Sequence, residues 1–216
     1  LKDDTDINTA YEYTIQYSRG GEIVVEEFME GPEVSVETLA VNGDINVIQI
    51  TDKVTTGAPY FVEMGHSQPS LLSESTRKRI AEVAIAANKA IGIKNGPSHT
   101  EIKVTQSGPK IVELGARLGG DCITTHLVPL STGVNMVEAS IRIAIGERPD
   151  LKLKWNKGAA IRYLRTDTGT IKKITGIENA EKVPGVKQVS IVHGIGEQIG
   201  EIKSSVDRAG FVIAQS

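Results

Sequence analysis

Apolar residues at Ile7, Ala10, Tyr11 and Ile15 recur at the three- and four-residue steps of a helix face. Asp3, Asp4 and Thr5 precede them at the end where negative charge is favoured, and Gly20-Gly21 stops the run. The stretch from Glu22 to Met29 predicts a strand, broken at Gly31-Pro32. Glu33-Val34-Ser35-Val36-Glu37 then alternates polar and apolar, as a strand with one buried face should. Asn42-Gly43 predicts a tight hairpin into a second strand, Ile45 to Ile50, because both central positions of that turn need positive φ. Ile80, Val83, Ala84, Ala87 and Ile91 form one stripe of a helix predicted from Ser73 to Ile91, with Gly92 as its cap. Two strands follow, Thr100 to Thr105 and Lys110 to Leu114, around Ser107-Gly108-Pro109. After a loop from Gly115 to Gly120, a helical region carries Val134, Val137, Ile141 and Ile145 on its second helix and ends at Gly146. From about Trp155 the pattern changes to short β-rich runs at 159–164, 171–174, 186–192, 197–202 and 211–214, separated by Gly and Pro turns.

The sum is an α+β fold: an antiparallel sheet packed with helices over residues 1–150, then a small β-rich domain over 151–216. The second stretch is near the lower limit for a self-sufficient core, so it is expected to dock on the first. Charge narrows the function classes. With 24 basic and 27 acidic residues interleaved and a net charge of −3, there is no basic patch for nucleic acid. Aromatic residues make up 4%, which leaves little platform for stacked bases. No apolar run approaches the ~20 residues of a membrane helix. The single cysteine, Cys122, excludes an internal disulfide and a cysteine-rich zinc site, and a reducing cytoplasm is the default compartment. Leu1-Lys2-Asp3-Asp4 is neither a start nor a signal peptide, so the sequence reads as part of a longer polypeptide.

Glu101 and Glu113 are the most informative pair. They sit in strands joined by a tight turn. A three-residue loop, Gln106-Ser107-Gly108, sets them opposite each other on one face; a two-residue loop sends them to opposite faces. Two facing carboxylates repel by about 1 kcal/mol at ~4 Å even in water, yet suit a Mg2+ ion that also binds substrate phosphates. The alternative is two unrelated solvated glutamates. Gly119-Gly120 ahead of a helical region has its own logic, since backbone N–H groups there can approach an anion.

Glu101-Ile102-Lys103-Val104, followed by Ile111-Val112-Glu113-Leu114-Gly115-Ala116-Arg117-Leu118-Gly119-Gly120, resembles the metal-binding hairpin of the ATP-grasp superfamily. In that family a first carboxylate is followed by a second and then by Asn-x-Arg. The resemblance implies that Glu101 and Glu113 bridge Mg2+ (or Mn2+) and that Arg117 is catalytic, facing an acyl phosphate held with Gly119 and Gly120. Gly115 stands where the family has its asparagine ligand, so water would fill that place. Val25 to Glu33 resembles the family's nucleotide hinge. By that resemblance, backbone groups of Glu27 and Met29 read the adenine, Phe28 packs the hinge, Glu33 takes the ribose hydroxyls, Glu26 contributes nearby, and Lys53 approaches the terminal phosphates. Glu63-Met64-Gly65-His66, placed in a loop, is similar to a segment of bacterial L-amino-acid ligases. That similarity implies that Glu63 meets a substrate amino group while His66 positions it or moves protons. His99 shares a strand face with Glu101 and reads as structural, as do His126, His193 and Cys122.

The stretch from Gly158 to Ala214 resembles the small C-terminal domain of the L-amino-acid ligase branch. The resemblance implies an ATP-grasp C-terminal lobe that uses ATP and Mg2+ to convert a carboxylate to an acyl phosphate and join it to an amine. Its partners are then small-molecule carboxylates and amines, with no nucleic acid or membrane, and a homodimer is open. Related chemistries are those of biotin carboxylase and of carbamoyl-phosphate and phosphoribosylglycinamide synthetases. A reading of another class is a non-catalytic nucleotide-binding module. The opening helix resembles the one that comes after the family's glycine-rich loop, so the sequence is expected to begin beyond that loop and to turn over little by itself.

Overall fold

The computed structural model describes residues 7–216. Its elements are α1 (Ile7–Ile15), β1 (Glu33–Val41), β2 (Asp44–Thr55), β3 (Glu63–Gln68), α2 (Glu74–Ala90), β4 (Gly96–Thr105) and β5 (Gly108–Gly115). A π turn (Ile123–Leu127) runs into α3 (Val128–Thr132), and α4 (Met136–Ala144) follows. The chain ends with β6 (Ala159–Tyr163), β7 (Gly169–Thr170), α5 (Ile177–Glu181), β8 (Val186–Ile191), β9 (Gln198–Ile199), a 3-10 turn (Ser205–Asp207) and β10 (Gly210–Gln215).

Eight strands make one antiparallel sheet in the order β5-β4-β1-β2-β3-β6-β10-β8, and β7 pairs with β9 apart from it. Alternation along β1 sorts its side chains between the two faces. Val34 and Val36 pack with Ile50 and Ile102 beneath Ile80 and Ala84 of α2. Ser35 and Glu37 turn to the other face. Farther along, that face continues into a second core of Leu39, Ile48, Leu127, Met136 and Ile143. Ala159, Ile161 and Ile213 join the same core, and β3 bonds to β6, so the stretches on either side of residue 150 share sheet and core.

Most predicted elements are present. Asn42 and Gly43 take positive φ at the hairpin between β1 and β2. Ser73 caps α2 by accepting from Thr76 N at 3.2 Å. Several expectations need correction. Glu22 to Met29 is not a strand; Val24 and Val25 are exposed, and β-propensity without a neighbouring ladder does not make one. The acidic lead-in at Asp3, Asp4 and Thr5 lies outside the described residues. On α4 the buried stripe is Met136, Ala139 and Ile143, while Ile141 and Ile145 are exposed. Asn88 rather than Ile91 ends the buried face of α2, because Ile91 is already its cap. Glu63 and His66 lie on strand β3, not in a loop, and the run at 171–174 is replaced by a two-residue strand, β7.

Candidate active site

Cross-strand pairing assembles the polar face. Glu33 stands opposite Lys103, Ser35 opposite Glu101, and Glu37 opposite His99 on β1 and β4. On β2 and β3, Lys53 is opposite His66. Glu101 does pair with Glu113, but by a route different from the one expected. The turn is the two-residue kind, Thr105 pairing with Gly108, which alone would send Glu113 to the far face. A bulge between Glu101 and Ile102, with Val112 as the extra residue on β5, restores the match.

Lys53 is the electrostatic centre. Its ammonium donates to Glu33 at 2.6 Å, Glu101 at 2.9 Å and Glu63 at 3.3 Å, with only 2% of the side chain exposed. Burial works against the charge, yet the surrounding carboxylates prevail and push its pKa above the ordinary range for lysine. His99 is held at both ring nitrogens, Nδ1 by Glu37 at 2.7 Å and Nε2 by Glu101 at 3.3 Å. Desolvation opposes its charge, but Glu101 and Glu37 raise the pKa to about 9, so the ring is an imidazolium at neutral pH. Desolvation would likewise raise Glu101, but His99 and Lys53 bring it down to about 2. His99 is thus a charged member of the network.

Glu37 was not anticipated. Its side chain is fully buried, and Oε2 has no hydrogen-bond partner. A Cβ on Gly119 would come within 2.7 Å of both Glu37 Oε2 and His99 Nδ1, so glycine is what lets the loop close over this pair. Gly119 is buried behind the site, whereas Gly120 lines it. The glycines lead into a five-residue π turn instead of a regular helix, which weakens the expected dipole at that point.

A cavity of about 320 Å³ opens over this face, lined by Lys53, Glu63, His66, His99, Glu101, Arg117, Gly120, Asp121, Ile123 and Ser205. Glu113, opposite Glu101 on β5, is more than half exposed, and its carboxylate lies 3.7 Å from the Arg117 guanidinium. A Cβ at Gly115 would come within 3.2 Å of Arg117 Cγ and Nε, so Arg117 lies close against the position where the family pattern carries asparagine. The hinge residues lie farther out. Glu26 and Phe28 are exposed, Met29 is half-buried, and Glu27 accepts from Lys110 at 3.0 Å. Glu33 is brought into the network instead, bonded to Lys53 and, at 3.0 Å, to Lys103.

The donor set fits a hard divalent cation. Glu101 and Glu113 offer carboxylate oxygens in paired register, and both cationic contacts of Glu101 fall on Oε1. Among the described residues no three His, Cys, Asp or Glu side chains form a metal cage. Two glutamates plus phosphate oxygens make the kind of site Mg2+ uses with nucleotides.

The C-terminal stretch contributes two residues missed in the sequence. Ser205 lines the cavity, and Arg208 forms a bidentate pair with Asp121 at 2.7 and 2.9 Å. No sequence signal links partners 87 positions apart.

The family model for the ATP-grasp domain matches residues 3–125, and that for L-amino acid ligase C-terminal domain 2 matches residues 162–216. The uncharacterized protein y4rH of Sinorhizobium fredii is 32% identical over 89% of this chain and 40% of its own length. The L-arginine-specific L-amino acid ligase of Bacillus subtilis is 29% identical over 85% of this chain and 45% of its own. The crystal structure of L-amino acid ligase from Bacillus licheniformis superposes with a TM-score of 0.79 at 29% identity, over 87% of this chain and 49% of that one. The chain thus spans less than half the length of each of these relatives. With the ATP-grasp model covering more than half of its residues and the ligase model its C-terminal stretch, the chain belongs to the ATP-grasp family, in company with the L-amino acid ligases.

Proposed function

We propose that this chain carries the ATP- and Mg2+-binding site of a ligase that forms an acyl phosphate from a carboxylate and couples it to an amine. The observation that carries the reading is the pairing of Glu113, which lies beside Arg117, with Glu101, which shares a cavity with Lys53 and Arg117. A Mg2+ ion bound by the two glutamates would neutralise charge on the ATP phosphates. Lys53 and Arg117 would add positive charge where the phosphoryl group leaves ATP and where the acyl phosphate forms. Gly120, at the same wall, would offer its backbone N–H. Glu63 and His66, both on β3, would take the amine of the acceptor. Glu33 keeps acceptor capacity for a ribose hydroxyl despite its two lysines, because a carboxylate has about four lone-pair sites. Glu26, Glu27, Phe28 and Met29 would flank the adenine.

The test is thermal. ATP with Mg2+ should raise the unfolding midpoint more than ATP with a chelator, and Glu101→Gln or Glu113→Gln should erase that difference. Phosphate release with panels of carboxylates and amines then identifies the chemistry. A wild-type midpoint indifferent to Mg2+ and ATP sinks the reading.

A further inference from the structure

His66 presents an unusual pair of ring nitrogens. The side chain is 1% exposed, and Nε2 lies 3.2 Å from Asp121 Oδ2. Nδ1 is buried with no hydrogen-bond partner. Buried polar atoms are rarely left unpartnered, and an exception at a functional cavity calls for a ligand or a role. His66 lines the cavity beside Glu63, on the wall where the acceptor amine has been placed.

Asp121 is itself held on every side. Arg208 donates from Nη1 and Nη2 to its two oxygens, from Nη1 also to Glu63 O at 3.0 Å, and from Nε to Ser205 O at 2.8 Å. The guanidinium stacks 3.7 Å from the Tyr163 ring, which limits its rotation. The backbone pays for this placement, since Asp121 and Cys122 take φ of 50° and 61°, consecutive left-handed conformations for residues with side chains. An ionised carboxylate is acceptor-only, so the bond to His66 requires a proton on Nε2. A neutral ring then has its lone pair on Nδ1.

We propose that Asp121 and Arg208 are positioning residues: Arg208 fixes the Asp121 carboxylate, which in turn holds the His66 ring as the Nε2–H tautomer on the wall assigned to the primary amine substrate. The amine part rests on the ligase reading above; the tautomer part does not. The arrangement makes the C-terminal stretch a working part of the site, because Arg208 reaches the cavity's Asp121 from well beyond residue 150.

Long-range 1H–15N spectra of the labelled full chain read the proton position on each ring, with His66→Gln assigning the signal. Wild type should show His66 protonated at Nε2 alone. Asp121→Asn and Arg208→Met should shift the ring toward a tautomer mixture, and Arg208→Lys should restore part of the wild-type pattern, in variants checked as folded by circular dichroism. A wild-type ring protonated on Nδ1, or on both nitrogens at neutral pH, overturns the proposal, as does an unchanged tautomer in folded Asp121→Asn. Should a variant fail to fold, the wild-type spectrum alone decides. None of these spectra needs ATP or a carboxylate, so the ligase reading can fail in the phosphate-release assay while the tautomer result stands, and the reverse.

Discussion

At the scale of single residues, the site is a set of charges held in place by opposite charges, and Asp121 shows what that does to stability. Burial opposes its ionised form, but the hydrogen bonds from His66 and Arg208 prevail and keep the carboxyl well below its ordinary value of 3.8. A carboxylate whose pKa is lowered by folding adds stability at pH above its unfolded value, and that stability is lost as pH falls through the folded one. The contribution of Asp121 is therefore complete at neutral pH and fades below about pH 4. Glu101 titrates in the same acidic range, so the wild-type profile alone mixes the two. Urea unfolding measured from about pH 6 to pH 2 in wild type and Asp121→Asn separates them. The stability gap between the two proteins should narrow steadily below about pH 4; a gap constant with pH would mean that the Arg208 pair does not survive in solution. The pairing of this residue is not legible in the sequence, because Arg208 lies 87 positions away, between the 3-10 turn and β10.

At the scale of elements, the β4–β5 hairpin shows how far a pattern can be read. Alternation and a turn signature were enough to place both strands and to single out Glu101 and Glu113. The expectation tied their pairing to a three-residue loop, whereas the chain uses a two-residue turn and a bulge at Val112. A bulge has no compositional mark, since it depends on what the partner strand offers. α5, with five residues, is too short to show a helical period and was missed for that reason. The stretch from Glu22 to Met29 read as a strand because its residues favour one, yet it runs outside the ladders, and just after it the chain crosses to β4, where Val104 N donates to Pro32 O at 2.9 Å. Gly31, at φ 140°, makes that crossing possible, because any Cβ there would collide with the Val104 carbonyl oxygen. Gly31→Ala should therefore cost about 1–3 kcal/mol in urea unfolding, from strain and overpacking together. A variant as stable as wild type would mean that the segment is not seated against β4 as described.

At the scale of the whole molecule, the question is whether the stretches on either side of residue 150 behave as separate units. Composition changes near Trp155, and the two family models match on either side of it. The physical connections run across that line. β3 pairs with β6 through four residue partners, from Gly65 with Arg162 to Gln68 with Ala159. Ile161 and Ile213 are fully buried in the core that holds Leu39 and Leu127. Leu130 O accepts from the Trp155 indole at 2.8 Å and from Gln215 Nε2 at 2.7 Å, and Arg208 adds its pair with Asp121. Removing the C-terminal strands would expose the edge of β3 and strip Ala159, Ile161 and Ile213 from a packed core, which is a large loss against the marginal stability of a domain. The expected outcome is one cooperative transition, with Trp155 fluorescence and far-ultraviolet circular dichroism losing their signals at the same urea concentration. Trp155 is suited to this because its indole bonds across the very line in question, so a C-terminal stretch that melted early would move the fluorescence midpoint ahead of the circular dichroism midpoint. Coincident midpoints mean that a cavity lined from both stretches, with Ser205 joining Glu63 and His66 and with Arg208 bonded to Asp121, is held by the stability of the entire sheet.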